Sequence, residues 1–505
     1  MSVRLRGYRP HRRTPTAALA RGVERRFQIA GLARHQVNKV FPWHFSFLWG
    51  EIALYSFVVL VGSGVLLTLF YVPSLDQVTY QGSYAPAFGL EASRAWISTV
   101  DLSVDVHGGL FLRQLHHWSA LVFLAAIMLH MARVYFTGAY RAPRELNWFI
   151  GVLMLVAAIF EGYLGYSMLD DLLSGTGVRI FSGILLSIPV IGTWLHWLVF
   201  DSEYPGEIFI ERFFIAHVLL IPAVLVGLIA LHLAVVWYQK HTQFAGRRAA
   251  EGNVVGNRTL PVFAMHSVAM LLAVTAVLGL LAGVAQINPV FHYGPYNPAQ
   301  VSNGSQPDWY ALWLIGSLKL FPPADLSVAG RYTVPAGFWA GVIIPALLIV
   351  LLLVWPLIDR LRDRDRELHN LLDRPRDAPA RTAIGVMTLT FWGVLTLAGT
   401  DDITATVFTI PLEGMRWCER IALFVLPPLA YVLTKRLCLR LQRADHDLLA
   451  GGIPTGLVDR RHEGAYRAVH QPFVGIDPEG HERPVDYEGV RVPTTPTPPP
   501  PGGES

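Results

Sequence analysis

The feature that most constrains the fold is a set of eight long apolar segments. Each has about 18 residues or more with few charges, which is the length that an α-helix needs to cross a bilayer. We number them span 1 to span 8 and predict them at 46–70, 108–136, 148–170, 210–238, 262–283, 337–357, 382–399 and 418–438. Charged residues make up only 15% of the chain, against about 25% in soluble globular proteins. The sequence therefore predicts an all-α membrane protein with eight transmembrane helices embedded in a lipid bilayer.

Composition excludes several other classes. The net charge of +4 is small and scattered, so we expect no nucleic-acid partner. Cys418 and Cys438 lie on one predicted helix about 30 Å apart and cannot pair with each other. The Arg-rich stretch before Phe41 has no apolar segment, so no cleaved secretory signal is expected.

Basic residues in the connections predict the orientation. The connections after spans 2, 4 and 6 carry Arg141, Arg144, Lys240, Arg247, Arg248, Arg258 and seven arginines from Arg360 to Arg381. The other connections carry Arg94, Arg179, Lys319, Arg331 and Arg416. Because Lys and Arg collect on the cytoplasmic side, both termini are predicted to be cytoplasmic. We call that side inner and the opposite side outer.

Four regions follow from this pattern. They are a basic cytoplasmic arm at 1–44, a four-helix bundle at 45–240, a C-terminal membrane domain at 241–438 and a polar, Pro-rich cytoplasmic tail at 439–505. The tail, with its Pro/Thr run at 493–501, is predicted to be largely disordered. Two weaker apolar stretches, 180–200 and 308–321, are predicted to be short helices near the membrane surface.

Spacing brings four histidines together. Span 2 holds His116 and His130, fourteen residues apart, and span 4 holds His217 and His232, fifteen apart. At about 100° and 1.5 Å per residue, each pair shares a helix face and is separated by about 21–22 Å along the axis. His117 does not share that face. Both spans run from outer to inner side, so the histidines meet at two matched depths. Paired imidazoles suit haem iron, and we predict two haems in the four-helix bundle.

Glycines and arginines occur at the same depths. Gly50 and Gly64 in span 1, and Gly151 and Gly165 in span 3, are each fourteen residues apart, and Arg113, Arg133 and Arg212 flank the histidines. Glycine makes room for a flat macrocycle, and guanidinium groups bind carboxylates such as haem propionates. Close helix packing and side chains reaching toward the membrane surface are the alternative explanations.

These residues, together with Pro307-Asp308-Trp309-Tyr310, resemble those of cytochrome b, the quinone-binding subunit of the cytochrome bc complexes. The resemblance is greatest to the actinobacterial members. Asp308 replaces the family's usual Glu, and the family's Pro-Trp-Gly is absent after Gly165-Tyr166, so the outer quinol pocket is expected to have a different shape. No cysteine lies near span 1, and a covalent third haem is not expected.

The resemblance implies a quinol–cytochrome c reductase that runs a Q cycle. Two non-covalent haem b groups (iron protoporphyrin IX) would carry electrons from an outer quinol site to an inner quinone site, contributing to the proton-motive force. The implied partners are a Rieske iron–sulfur protein, a cytochrome c subunit, a terminal oxidase and a second copy of the chain. The implied location is the bacterial plasma membrane, and the implied substrate is menaquinol.

The resemblance also implies roles for individual residues. Asp308 is the candidate proton acceptor from quinol, and Tyr310 the candidate hydrogen-bond partner of the quinol oxygen or of that carboxylate. The other candidates are Pro307 and Trp309 in the outer quinone site, Asp170 and Asp171 in the outer proton path, and His241, His266 and Lys240 at the inner quinone site.

Two other functional classes remain open from sequence. One is a multi-span transporter without a redox role, which would not need histidines at matched depths. The other is the haem b membrane anchor subunit of a dehydrogenase, which would have fewer spans and no Pro-Asp-Trp-Tyr loop.

Overall fold

The structure confirms the prediction of eight apolar helices. It is a computed structural model, and it describes residues 36–246, 248–300, 306–328, 330, 332–451, 453–460, 463–471, 474–476 and 482–484. The spans within this part are Phe45–Leu67, Gly109–Phe136, Glu145–Ser167, Phe209–Gln239, Thr259–Val284, Ala336–Asp363, Pro379–Gly399 and Leu412–His446. Many of their large apolar side chains are exposed, for example Val58, Leu233 and Val268. Apolar side chains on the outside of a helix bundle are those expected to face lipid.

In the described part of the outer connections there are six shorter helices. They are α1 (Arg94–Val104), α2 (Leu172–Ser187), α3 (Gly192–Phe200), α4 (Val290–Tyr293), α5 (Leu312–Leu320) and α6 (Asp401–Phe408). The apolar stretch predicted at 180–200 forms parts of α2 and α3. The stretch predicted at 308–321 is a short 3-10 turn followed by α5.

Short strands fasten the connections to one another. The pairs are β1 (Val40–Phe41) with β5 (Asn257–Arg258), β2 (Gln77–Thr79) with β3 (Glu91–Ser93), β4 (Gln243–Phe244) with β8 (Leu371–Leu372), and β6 (Leu326–Val328) with β7 (Tyr332–Val334). Only β4 and β8 run parallel among these four pairs. At the inner end, β1 and β5 hold the chain before span 1 against the start of span 5.

The tail differs from the sequence expectation. The last helix continues past the apolar segment to Gly451, since hydropathy marks the membrane-embedded part of a helix and not its end. Two antiparallel pairs follow, β9 (Ile453–Arg460) with β10 (Tyr466–Gln471) and β11 (Val474–Ile476) with β12 (Glu482–Pro484). Gly464, with φ of +84°, lies in the turn between β9 and β10 and adopts that conformation without a Cβ penalty. The Pro/Thr run at 493–501 lies outside the described residues.

The first four spans pack around a shared apolar core. Its buried residues include Ala53 and Phe57 of span 1, Phe123 and Leu124 of span 2, Ala158 of span 3 and Leu225 of span 4, together with Tyr310 from the connection before α5. This core separates the outer from the inner histidine pair and also anchors the connection that carries Asp308.

Candidate functional site

The four predicted histidines meet in the two predicted pairs. The ring centroids of His116 and His217 are 6.2 Å apart, and those of His130 and His232 are 6.4 Å apart. With about 2.0 Å from each ligating nitrogen to a metal and ~1.1 Å from that nitrogen to its ring centroid, two rings on opposite sides of one metal would be about 6.2 Å apart. Both pairs therefore have the separation that a single metal ion between them requires.

A helix irregularity explains why unequal spacings give equal geometry. Residues Ala216–Leu220 of span 4 form a π-helical turn, which accommodates one more residue than an α-helical turn. The fifteen-residue interval from His217 to His232 therefore has the rotation of a fourteen-residue α-helical interval, as between His116 and His130. In an uninterrupted α-helix, the one extra residue would turn His217 about 100° away from the position that it has in the structure.

Hydrogen bonds of the outer pair leave one nitrogen of each ring for a metal. Nδ1 of His116 is 3.1 Å from both Ser63 Oγ and the Leu60 carbonyl. Nδ1 of His217 is 2.9 Å from a carboxylate oxygen of Glu161 and 3.1 Å from the Glu161 carbonyl. Since these acceptors favour a proton on Nδ1, Nε2 is the ring nitrogen available to bind a metal.

Three of the four predicted glycines contact the histidine rings. A Cβ atom would lie 3.2 Å from the His130 ring at Gly50, 3.0 Å from the His116 ring at Gly64 and 2.5 Å from the His217 ring at Gly165. At Gly151 a Cβ would meet no atom of the described residues within 4 Å, so no contact seen there requires glycine.

Two of the three predicted arginines point toward the histidine pairs with unused donors. Arg113 donates to the Asn288 carbonyl and to Ser103, but one of its buried terminal nitrogens has no partner among the described residues. Two buried nitrogens of Arg133 are also unpaired there. Unsatisfied buried guanidinium donors are costly unless an anion binds them. Together with the paired imidazoles and the glycine contacts, these donors fit two haem groups with propionates.

The structure places the predicted Arg212 away from the outer histidine pair. Its guanidinium donates to the carbonyls of Trp197 and Leu198 and to Asp201, and it does not line the cavity at the outer histidine pair. The reason is helical rotation, because five residues turn about 140° away from the His217 face, whereas the three residues from Arg113 to His116 turn only about 60° away.

A cavity of about 290 Å³ joins the outer histidine pair to the Pro307–Tyr310 segment. Arg113, His116, His217 and Asp308 line it. The Asp308 carboxylate is 3.0 Å from Nε2 of His117. The sequence prediction set His117 aside because it points away from the haem-facing side of span 2. That direction is the one that brings its ring to Asp308.

Tyr310 separates this cavity from a larger apolar cleft. The cleft has a volume of about 670 Å³, and both Pro307 and Tyr310 line it. Tyr310 is buried, and its hydroxyl would be 2.7 Å from a Cβ atom at Gly162. Burial and the neighbouring Asp308 charge raise the pKa of Tyr310 well above its usual range, so it stays a neutral hydrogen-bond donor.

Asp170 and Asp171 are buried beside this region and are not simple surface carboxylates. Burial is the main cause that raises the pKa of Asp170 to about 7 and that of Asp171 to about 6. Asp171 also caps α2 by accepting from the backbone N–H of Ser174. Carboxyls with such pKa values exchange protons near neutral pH.

At the inner end, the predicted quinone residues His241 and His266 lie against the start of span 1 and the residues just before it. The His241 ring is 4.6 Å from that of Phe47, and the His266 ring is 4.5 Å from that of Trp43. Burial, followed by the charge of Arg133, lowers the pKa of His241 to about 4, so its ring is neutral at pH 7. The predicted Lys240, with φ of +65°, ends the helix of span 4.

The sequence prediction missed Glu161 altogether. It is buried in span 3, four residues before Gly165. The signal was available, because an ionisable residue inside a membrane span is by default a functional candidate.

Comparisons with known proteins find similar chains. Residues 121–295 match the family model described as Cytochrome b(N-terminal)/b6/petB. A cytochrome bc1 complex cytochrome b subunit of Mycobacterium leprae is 52% identical over 94% of this chain and 86% of its own length. Its counterpart from Corynebacterium efficiens is 50% identical, covering 94% and 88%, and that of Streptomyces coelicolor is 44% identical, covering 89% and 82%.

A solved structure has a similar fold. It is a chain of a hyperthermophilic respiratory Complex III, with a TM-score of 0.59 and 21% sequence identity, and the match covers 82% of this chain and 99% of that one. At this identity the likeness concerns the fold, which is the same all-helical membrane architecture.

Proposed function

Since this chain belongs to the family of cytochrome b subunits of cytochrome bc1 complexes, we propose that it oxidises quinol at an outer site and reduces quinone at an inner site. It is a multi-pass membrane protein and an electron-transport subunit of a quinol–cytochrome c oxidoreductase. The observation that carries the residue-level proposal is the pair of histidine couples at two depths with ring separations of 6.2 and 6.4 Å.

The chain works with other subunits of such a complex. The specific partners that we propose are a Rieske iron–sulfur protein, a cytochrome c subunit and a second copy of the chain, with a terminal oxidase as a further partner. We place the protein in the bacterial plasma membrane with both termini in the cytoplasm, and menaquinol is the proposed substrate. The distribution of basic residues between the connections supports this orientation.

We assign the outer haem b to His116 and His217, and the inner haem b to His130 and His232. Once bound, these groups supply one-electron transfer across the membrane. Gly50, Gly64 and Gly165 leave room beside the rings. Arg113 and Arg133 would bind propionates with the donors that lack a partner in the described part of the chain.

At the outer site, the residues around Asp308 bind and deprotonate the quinol. The Asp308 carboxylate accepts a proton from a quinol hydroxyl, while His117, 3.0 Å away, holds the carboxylate in place. Tyr310 donates a hydrogen bond from the wall between the cavity and the apolar cleft. The cleft would take the apolar part of the quinol, with Pro307 in its lining, whereas Trp309 packs against the core of the first four spans.

The test is haem stoichiometry in the purified complex and in single histidine variants. Wild-type protein should contain two haem b per chain. His116→Ala or His217→Ala should leave only the inner haem. His130→Ala or His232→Ala should leave only the outer haem. His196→Ala is the matched control, because His196 is also a buried histidine but bonds to Ser182. Two haems retained in a paired-histidine variant, or a wild-type chain without haem, would refute the assignment.

The two alternative functional classes are not favoured. The similar proteins over nearly the whole chain are bc1 cytochrome b subunits, and all eight spans are present. A transporter would show no sharp reduced α-band. A dehydrogenase anchor would keep its turnover after replacement of Asp308.

A further inference from the structure

The four paired histidines differ in what their Nδ1 atoms bond to. Nδ1 of His116 has neutral oxygen partners, Ser63 and the Leu60 carbonyl. Nδ1 of His130 has no hydrogen bond within the described part of the chain, and the His232 ring bonds to the backbone of Asn147. Among these four histidines, only His217 has a carboxyl group as the partner of Nδ1. A carboxylate oxygen of Glu161 lies 2.9 Å from that nitrogen.

Glu161 and Gly165 act together on the His217 ring. They are four residues apart in span 3 and therefore lie on the same helix face. Gly165 leaves the space that the ring occupies, since a Cβ there would be 2.5 Å from it. Glu161 bonds the ring from one turn earlier, through both its side chain and its carbonyl. Span 3 thereby fixes both the position and the rotation of this imidazole.

A buried carboxyl at this position is costly, and packing does not explain it. Glu161 is 8% exposed, and its second carboxylate oxygen has no partner among the described residues. An apolar side chain would fill the space without the desolvation penalty. The interaction that Glu161 gains is the hydrogen bond from His217.

We propose that Glu161 is a positioning residue that lowers the reduction potential of the outer haem; this inference rests on the haem assignment above. An acceptor on Nδ1–H makes the imidazole more electron-rich at Nε2, as carboxylate–histidine pairs do at other metal sites. An electron-rich axial ligand favours the oxidised iron over the reduced iron. Since neither His130 nor His232 has a carboxyl acceptor among the described residues, the inner haem does not receive this effect.

The experiment is a spectroscopic redox titration of the purified complex carrying Glu161→Ala or Glu161→Gln. In Glu161→Ala, we expect the equilibrium constant for reducing the outer haem to rise about tenfold, which is 59 mV for a one-electron couple. Glu161→Gln keeps the shape and a neutral acceptor oxygen, so it should give a smaller rise. The inner haem should titrate as in the wild type in both variants.

Ser63→Ala is the matched control, because it removes a neutral hydrogen-bond partner from His116, the other ligand of the outer haem. His116 keeps its second partner, the Leu60 carbonyl. It should shift the outer haem much less than Glu161→Ala. An unchanged outer potential in Glu161→Gln and Glu161→Ala, with both haems bound, would overturn the inference and leave the haem assignment intact. A shift in Ser63→Ala equal to that in Glu161→Ala would also overturn it. A wild-type complex without an outer haem would instead refute the assignment itself.

Discussion

Asp308 and His117 show how a single residue gains its role from a neighbour that is distant in sequence. Their 3.0 Å contact joins residues 191 positions apart, and the cavity they line reaches the outer histidine pair. The sequence predicted the role of Asp308 from its motif. The sequence could not predict that His117 is the partner of Asp308. Helical rotation shows only that His117 points away from His130, and not which residue its side chain contacts.

Replacing Asp308 with Asn should remove the proton acceptor at the outer site. We expect quinol-dependent cytochrome c reduction to fall by about 100-fold or more, within the range typical of a lost general base. Haem content should stay at two per chain. The measurement is steady-state turnover with a pyridine haemochrome assay on the same preparation. Asp76→Asn, at an exposed outer position, is the control, and wild-type turnover in Asp308→Asn would contradict the role.

Burial of Asp170 makes the stability of the folded protein fall as the pH rises. Because the pKa of Asp170 in the folded protein is about 7, above its ordinary value of 3.8, the folded state binds the proton more tightly. Burial of Asp170 therefore lowers the free energy of unfolding by an amount that grows as pH rises from about 4 to about 7 and reaches up to ~4 kcal/mol. Asp170→Asn should lose less thermal stability than wild type between pH 5 and pH 8. Equal pH dependence of the two unfolding temperatures in detergent would contradict this.

At the scale of elements, the spans were the most predictable part. Apolar length gave eight helices, and helical rotation gave the histidine pairs. The prediction for Arg212 also came from this scale, and its position five residues from His217 turns its side chain away from the His217 face, toward Asp201. Helix α1 and the tail hairpins were not predicted, since short amphipathic and polar segments carry weak signals beside long apolar ones.

The π-helical turn at Ala216–Leu220 makes its own prediction. Deleting Leu219, an exposed residue of this turn, should convert it to an α-helical turn and leave the His217–His232 register unchanged, so that both haems stay bound. Deleting Leu219 and Leu220 together should rotate one histidine by about 100° relative to the other and lose one haem. Haem counts of purified variants test this; loss of haem in the single deletion would contradict the explanation.

At the scale of the whole molecule, the charged residues and the two proposed reactions are divided between the inner and the outer end. The connections at the inner end hold most of the basic residues, and Asp170, Asp171 and Asp308 lie at the outer end. The proposed quinol oxidation releases protons at the outer end and the proposed quinone reduction takes them up at the inner end. The basic residues of the connections predicted this division. The inner quinone contacts could not be resolved from sequence, because segments far apart in the chain assemble that surface.

Orientation can be tested with single cysteines. In a chain without Cys418 and Cys438, Ser83→Cys should react with a membrane-impermeant maleimide added to intact cells whose outer layers have been permeabilised. Ala250→Cys should react only after the membrane is opened. Both positions are exposed. The reverse pattern would place the termini outside the cytoplasm.

The central claim is that two haems lie between spans 2 and 4, one at each depth. An experimental density map of the purified complex tests it most directly. We predict one macrocycle between His116 and His217 and another between His130 and His232, with the irons about 20 Å apart along the helix axes. A map with a single macrocycle, or with these imidazoles not bound to iron, would contradict the account.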